Sequence, residues 1–208
     1  MKNRCPWCGE SKIYVEYHDQ EWGVPVHDDQ ALFGKLILDG AQAGLSWLTI
    51  LKKREGYRNA FDGFDAEKIA AYSQSDISRL LADPGIVRNR LKIESAIKNA
   101  RGYLDIRDEF GSFDSFIWRY VDYRPLQNSR KSLSELQASS SESDMMSRDL
   151  KKRGFNFVGS TICYAYMQAV GMVNDHLVSC FRYSDIRRMC HSRGELSGFE
   201  SINLGLFR

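Results

Sequence analysis

The chain has 208 residues, enough for one domain or two small ones sharing a core. An apolar fraction of 43% and a formal net charge of +2 suit a soluble globular protein and announce no bulk affinity for nucleic acid, so any basic face must be local. No apolar run reaches the roughly 18 residues of a membrane span, and the polar opening MKNRCPWCGESK has no apolar signal core, so a cytoplasmic protein is expected. Five cysteines, an odd number for a reducing compartment, favour metal binding or free thiols over disulfides. Four prolines and dominant helical spacing predict an all-α fold.

In chain order, residues 1–20 read as irregular and hold Cys5-Pro-Trp-Cys8, Tyr14, Tyr17 and His18. Trp22-Gly-Val-Pro25 reads as a turn, and Asp28-Asp29 as an N-cap before a helix over 31–38. The run 36–51 sets one carboxylate, Asp39, among apolar residues, followed by Gly40-Ala-Gln-Ala-Gly44, Leu45, Ser46 and Trp47. A carboxylate there must be desolvated, which costs free energy unless it is partnered. Two readings stay open. Asp39 and Trp47 line a pocket for a flat, hydrogen-bonding ring, or Asp39 caps the next helix and Trp47 is plain core.

A second helix is predicted over 46–58, then short helices capped by Asp65 and Ser75, and a break at Asp83-Pro84-Gly85. A long helix over 88–107 would bury Leu91, Ile93, Ile97, Ala100 and Leu104 and turn Arg88, Arg90, Lys92, Lys98 and Arg101 to solvent. Residues 113–121 suggest a short aromatic helix, and 127–143 an exposed connector. Ser143 would cap a helix over 144–153. An apolar helix follows over 161–170, and a last one to about 183 carries His176 and Cys180. The weakly patterned tail, 184–208, suggests no structure or role.

Two stretches carry chemistry. Gly154 and Gly159 bracket a tight turn between two helices, flanked by Lys151, Lys152 and Arg153. Outward N–H groups, a helix dipole and local positive charge together make a phosphate site, the logic of a helix–hairpin–helix element; a plain corner between helices has the same pattern. His176 and Cys180, at i and i+4, would share a helical face as two metal ligands do. Cys5 and His18 would complete a closed tetrahedral zinc site. Cys8 competes through Cys5-x-x-Cys8, and Cys190 and His191 are weaker rivals.

Taken in order, several motifs follow one pattern: Tyr17-His-Asp, Glu21-Trp-Gly-Val-Pro25, Gln42-Ala-Gly-Leu-Ser-Trp47, Leu51-Lys-Lys-Arg-Glu55, Leu150-Lys-Lys-Arg-Gly-Phe155, Phe157-Val-Gly159, Thr161-Ile-Cys-Tyr164 and Val173-Asn-Asp-His176. The chain resembles the Tag family of 3-methyladenine DNA glycosylases over residues 5–183. The resemblance implies a helix–hairpin–helix glycosylase domain over 1–183 whose ends are joined by a structural zinc on Cys5, His18, His176 and Cys180, with Cys8 a bystander. It places the reactive side chains at Asp39, Tyr17 and Trp47 and adds Tyr14 and Trp7 to the base pocket. Gly44 and Leu45 match the loop that enters the duplex; Lys151, Lys152, Arg153, Gly154 and Gly159 match the phosphate-binding hairpin.

The implied activity is monofunctional hydrolytic excision of 3-methyladenine from double-stranded, alkylated DNA in base-excision repair, by a monomer. Two departures stand out: the family pattern has Glu at Asp39 and Gln at Ala41. The shorter side chain draws the carboxylate back by about 1.5 Å. A helix–hairpin–helix DNA-binding protein, or a glycosylase of altered base specificity, is therefore the alternative. Asn174 stands where many such glycosylases carry a catalytic Asp, which restricts the expected substrates to labile, charged bases.

Overall fold

The backbone elements follow from how each helix is started. The computed structural model describes residues 2–192. Helix α1 spans Lys12–Gln20, so the opening segment is more ordered than its sequence suggests. Helix α2, Asp29–Gln42, begins where the Asp28 carboxylate accepts from Ala31 N at 2.8 Å. It is buried from Ala31 to Ala41, an all-round apolar helix that forms the centre of the core. Ser46, accepting from Thr49 N, starts α3, Trp47–Ala60. Asp39 and Trp47 therefore lie on different helices.

Helices α4 (Ala66–Ala70) and α5 (Gln74–Ala82) follow. Ser73, not Ser75, caps α5; its N–H donates to Asp76 Oδ2 at 2.9 Å. Asn89 caps the long α6, Arg90–Phe110, and Gly111 ends it in the left-handed region at φ 81°. Ile93, Ala96, Ile97, Ala100, Tyr103 and Ile106 form its buried stripe. Leu91, expected inside, is 68% exposed, because the helix turns that position away from the core. Helix α7, Phe113–Trp118, is capped by Ser112, which accepts from Ser115 N, and Asp29 at the start of α2 accepts from Phe113 N and Asp114 N.

The connector after α7 contains a two-residue strand, β1 (Leu126–Gln127), paired in parallel with β2 (Val173–Asn174). These short strands depart from the all-α expectation in an otherwise helical fold. Between them run α8, Ser141–Lys152, capped by Ser140 rather than Ser143, and α9, Ser160–Ala169. The last helix, α10, spans Phe181–Ser192 and begins after Cys180. His176 and Cys180 thus lie in the turn between β2 and α10, not on one helical face as expected. The rest of the tail, residues 193–208, and the side chains of Cys190 and His191 lie outside what the structure describes.

Around α2 pack α3, α6, α7 and α9, with the α8–α9 pair on the side of the 153–159 turn. Gly171, at φ 76°, closes the α9–β2 junction against the backbone of Val24 and Pro25; a Cβ there would lie 2.4 Å from Pro25 N. Gly171→Ala should therefore cost at least about 2 kcal/mol, from left-handed strain and forced displacement of backbone. Thermal melting checks this, and an unchanged midpoint would contradict the close approach.

Candidate functional site

Two buried clusters share a row of aromatic rings. The first brings Cys5, His18, His176 and Cys180 together from both ends of the chain, their donor atoms all within 4.8 Å of one another. Cys180 Sγ lies 3.5 Å from His18 Nε2 and 3.6 Å from His176 Nδ1, and Cys5 Sγ lies 3.7 Å from His176 Nδ1. A tetrahedral ion bound at about 2.0–2.3 Å needs ligand atoms about 3.3–3.8 Å apart. The cluster fits that need. Both rings are fixed from outside: His18 Nδ1 lies 2.8 Å from Asp19 Oδ1, and His176 Nε2 lies 3.0 Å from Trp22 O. With those nitrogens held outward, His176 Nδ1 faces the sulfurs, and His18 Nε2 faces Cys180 Sγ and also accepts from Cys5 N at 3.3 Å.

The Cys180 thiol is pulled below its ordinary value by the hydrogen bond from Cys5, against burial, with His176 and His18 adding to the pull. Cys8 turns away and donates to Cys5 O at 3.2 Å, so Cys5-x-x-Cys8 is not the ligand pair among these residues. The four donors could hold a metal ion.

The second cluster surrounds Asp39, which is 3% exposed. Its Oδ1 accepts a short hydrogen bond from Lys35 Nζ, one turn earlier on α2. Burial pushes the Asp39 carboxyl above its usual range and the Lys35 ammonium below its own, while each partner opposes the other's shift. The ammonium also lies over the Trp47 ring, 3.9 Å from its centroid. Tyr17 packs on Trp47 at 5.3 Å, and Trp7 joins Tyr17, Tyr14 and Trp22, so the row runs unbroken from Asp39 to the four-donor cluster. Among the described residues, three buried polar atoms here have no hydrogen-bond partner: Asp39 Oδ2, Trp47 Nε1 and Tyr166 OH. Unpaired buried groups of this kind are costly. Chemically, the arrangement can hold a flat ring that donates to a carboxylate and stacks on aromatic faces.

Beside it, α2 ends in an exposed loop. Gly44, at φ 76°, has open space around it, and Leu45 is 39% exposed. Lys92 Nζ donates to Ala41 O and Ala43 O, both at 2.7 Å, so this lysine is not the solvated charge its spacing suggests. The turn between α8 and α9 is pinned from the same helix, α6. Asn99 Nδ2 donates to Asn156 O at 3.0 Å, and Asn156 N donates to Asn99 Oδ1 at 2.8 Å. Gly159 starts α9 without a side-chain cap, which leaves first-turn N–H groups for an anion. Lys151 and Lys152 are exposed nearby, whereas Arg153 is engaged by both carboxylate oxygens of Glu109 at 2.6 and 2.9 Å.

Sequence reasoning missed Lys35, Asn99 and Lys92 as members of this region. Lys35 is legible as an i−4 partner of Asp39, and the other two are two turns apart on one face. Asn174 and Asp175 are both committed internally. Asn174 Nδ2 donates to Gln127 Oε1 and Tyr183 O, and its Oδ1 accepts from His176 N. Asp175 accepts from Tyr164 OH, Gln168 Nε2 and Asn128 Nδ2.

A helical fold around a buried carboxylate and an aromatic row, beside an uncapped helix start, defines a class of protein suited to enclosing a planar polar ligand. Comparison with known proteins narrows it. The sequence model of the methyladenine glycosylase family matches residues 7–183. The DNA-3-methyladenine glycosylase 1 of Escherichia coli is 50% identical over 180 residues, covering 86% of this chain and 96% of that protein. The DNA-3-methyladenine glycosylase of Haemophilus influenzae is 48% identical over 180 residues, 86% of this chain and 97% of that protein. A crystal structure of a 3-methyladenine DNA glycosylase I superposes with TM-score 0.84 at 49% identity, covering 86% of this chain and 98% of that one. The enzyme of Staphylococcus aureus, solved to show its recognition of 3-methyladenine, does so with TM-score 0.84 at 39% identity, covering 86% and 96%. The chain belongs to the methyladenine glycosylase family.

Asn99→Ala leaves Asn156 N–H and C=O without side-chain partners. It should lower stability by about 1–3 kcal/mol, read as a lower urea midpoint at unchanged slope.

Proposed function

We propose that this chain flips 3-methyladenine out of alkylated double-stranded DNA and hydrolyses its bond to the sugar, as a monomer in base-excision repair. The observation that carries this reading is the free oxygen of Asp39, buried beside an unpaired indole N–H and a row of aromatic rings. Methylation at N3 makes adenine cationic and labilises its glycosidic bond, so the task is to extract the base, hold it and admit water to C1′. Asp39 Oδ2 accepts from the exocyclic amine. Trp47, Tyr17, Tyr14 and Trp7 offer aromatic faces on which positive charge is favoured.

Asn174 is an amide and cannot serve as a carboxylate base, and the Asp175 carboxylate is spent on internal hydrogen bonds, which supports a substrate range limited to labile, charged bases. The helix–hairpin–helix reading of α8 and α9 rests on the free first-turn N–H groups of α9 with Lys151 and Lys152 beside Gly154 and Gly159; Arg153, held by Glu109, contributes less. Leu45, exposed beside Gly44, would fill the gap left by the flipped base.

Cys5, His18, His176 and Cys180 would hold zinc with no position left open for substrate, so its contribution is structural. The full chain should then carry one equivalent of zinc by elemental analysis. Cys180→Ala should lose it along with thermal stability while keeping turnover per folded molecule, and Cys8→Ser should retain it. Zinc-free wild type of full stability would overturn this assignment.

The direct test is base release from methylated DNA, resolved by chromatography. Release of 3-methyladenine with 7-methylguanine left in place is expected, and Asp39→Asn should lower it about 10-fold or more, as expected for a lost hydrogen bond to a charged group. No release from folded, zinc-loaded protein would overturn the enzyme reading in favour of a DNA-binding relative.

A further inference from the structure

Lys35 has no role in the reading given above. It is 7% exposed on a core helix, in a position where a cation must be held by something specific. Among the described residues Asp39 is its one hydrogen-bonding partner, and the Trp47 face is its one aromatic contact. An ammonium has three donors, so two remain for a ligand. They lie beside the carboxylate whose other oxygen, Oδ2, is buried and without a partner among the described residues.

Side by side on an aromatic floor, the site therefore presents an acceptor and a donor. The pairing also fixes what kind of acceptor Asp39 is. A carboxylate is acceptor-only, whereas a protonated carboxyl both donates and accepts. A buried carboxyl without a counter-charge takes up a proton. Lys35 supplies that counter-charge.

We propose that Lys35 is a specificity-determining residue of the base site. By holding Asp39 in its acceptor-only form and offering a donor next to it, Lys35 selects the 6-amino edge of an adenine over the 6-oxo edge of a guanine. The inference rests on the glycosylase reading and deepens it. Adenine carries an exocyclic amine beside a ring-nitrogen acceptor, which satisfies Asp39 Oδ2 and Lys35 Nζ together. A guanine sets a carbonyl oxygen where the amine would be, lone pairs against the carboxylate. Without Lys35 the carboxyl protonates, donates to that carbonyl and loses the distinction.

The test compares free 3-methyladenine with free 3-methylguanine for binding to the full, zinc-loaded chain by calorimetry, alongside release of both from methylated DNA. Wild type should prefer 3-methyladenine. Lys35→Met should lower the preference about 10-fold or more, chiefly by gaining affinity for the 6-oxo base. Lys35→Gln keeps a donor toward Asp39 but no charge, and serves as a second variant that shows the same fall if Met fails to fold. A purely structural lysine would weaken both bases equally in these variants. That outcome, or an unchanged ratio, overturns the role of Lys35 alone. Wild type that neither binds nor releases a methylated base overturns the glycosylase reading, and the role of Lys35 with it.

Discussion

The aromatic wall of the candidate site is tied in by joining two segments far apart in the chain. The segment before α2 has little core of its own; it is held by Cys5 and His18 against His176 and Cys180, by Phe181 N–H donating to Asn3 O, and by Arg4 pairing with Asp19. The aromatic row rides on this segment: Trp7, Tyr14, Tyr17 and Trp22 all belong to it. The four converging donor atoms back the row from behind, and Tyr17 packed on Trp47 fixes it against α3. The second contact of each histidine ring shows how far the arrangement is over-determined. A carboxylate holds one and a backbone carbonyl the other, so each ring keeps one nitrogen facing the sulfurs.

Helix α6 does the corresponding work on the opposite side. Lys92 ties down the carbonyls at the end of α2, and two turns later Asn99 grips the backbone of the turn between α8 and α9. One rigid rod thereby sets both the exposed Gly44-Leu45 loop and the uncapped start of α9. Its cationic face reads from sequence as solvated, and for Arg90 and Lys98 nothing contradicts that. A lysine reaching back to carbonyls across the helix pair is tertiary information, absent from any spacing rule.

The helices around the site were legible because their signals are local. Asp28 and Ser46 cap where capping residues should, the long helix starts two residues later than expected with Asn89 as its cap, and α2 is buried from Ala31 to Ala41. The four metal-ligand candidates were legible as residue types but not as geometry. The expected helix over His176 and Cys180 is a turn, because β2 pairs with β1 and Asn174 and Asp175 are absorbed into that junction. Lys35 is hidden in the sequence for a simpler reason: it sits one residue outside the apolar run, where a lysine reads as the helix's polar face. Only the packing of α2, enclosed on every side, shows that no such face exists at that position.

Gly40 follows Asp39 directly, and a Cβ placed on it would lie 3.3 Å from Phe157 Cβ, in the turn before α9. Phe157 itself holds a left-handed backbone at φ 53°, an arrangement a free turn would relax. The turn proposed to grip a phosphate packs against the glycine next to the residue proposed to read a base, with no room for a side chain at Gly40. In the proposed reading, the protein behaves as a ruler. The span from gripped phosphate to enclosed ring is set by this close packing of α2 on the turn, so which nucleotide of the strand is presented is decided by length before any hydrogen bond tests its identity.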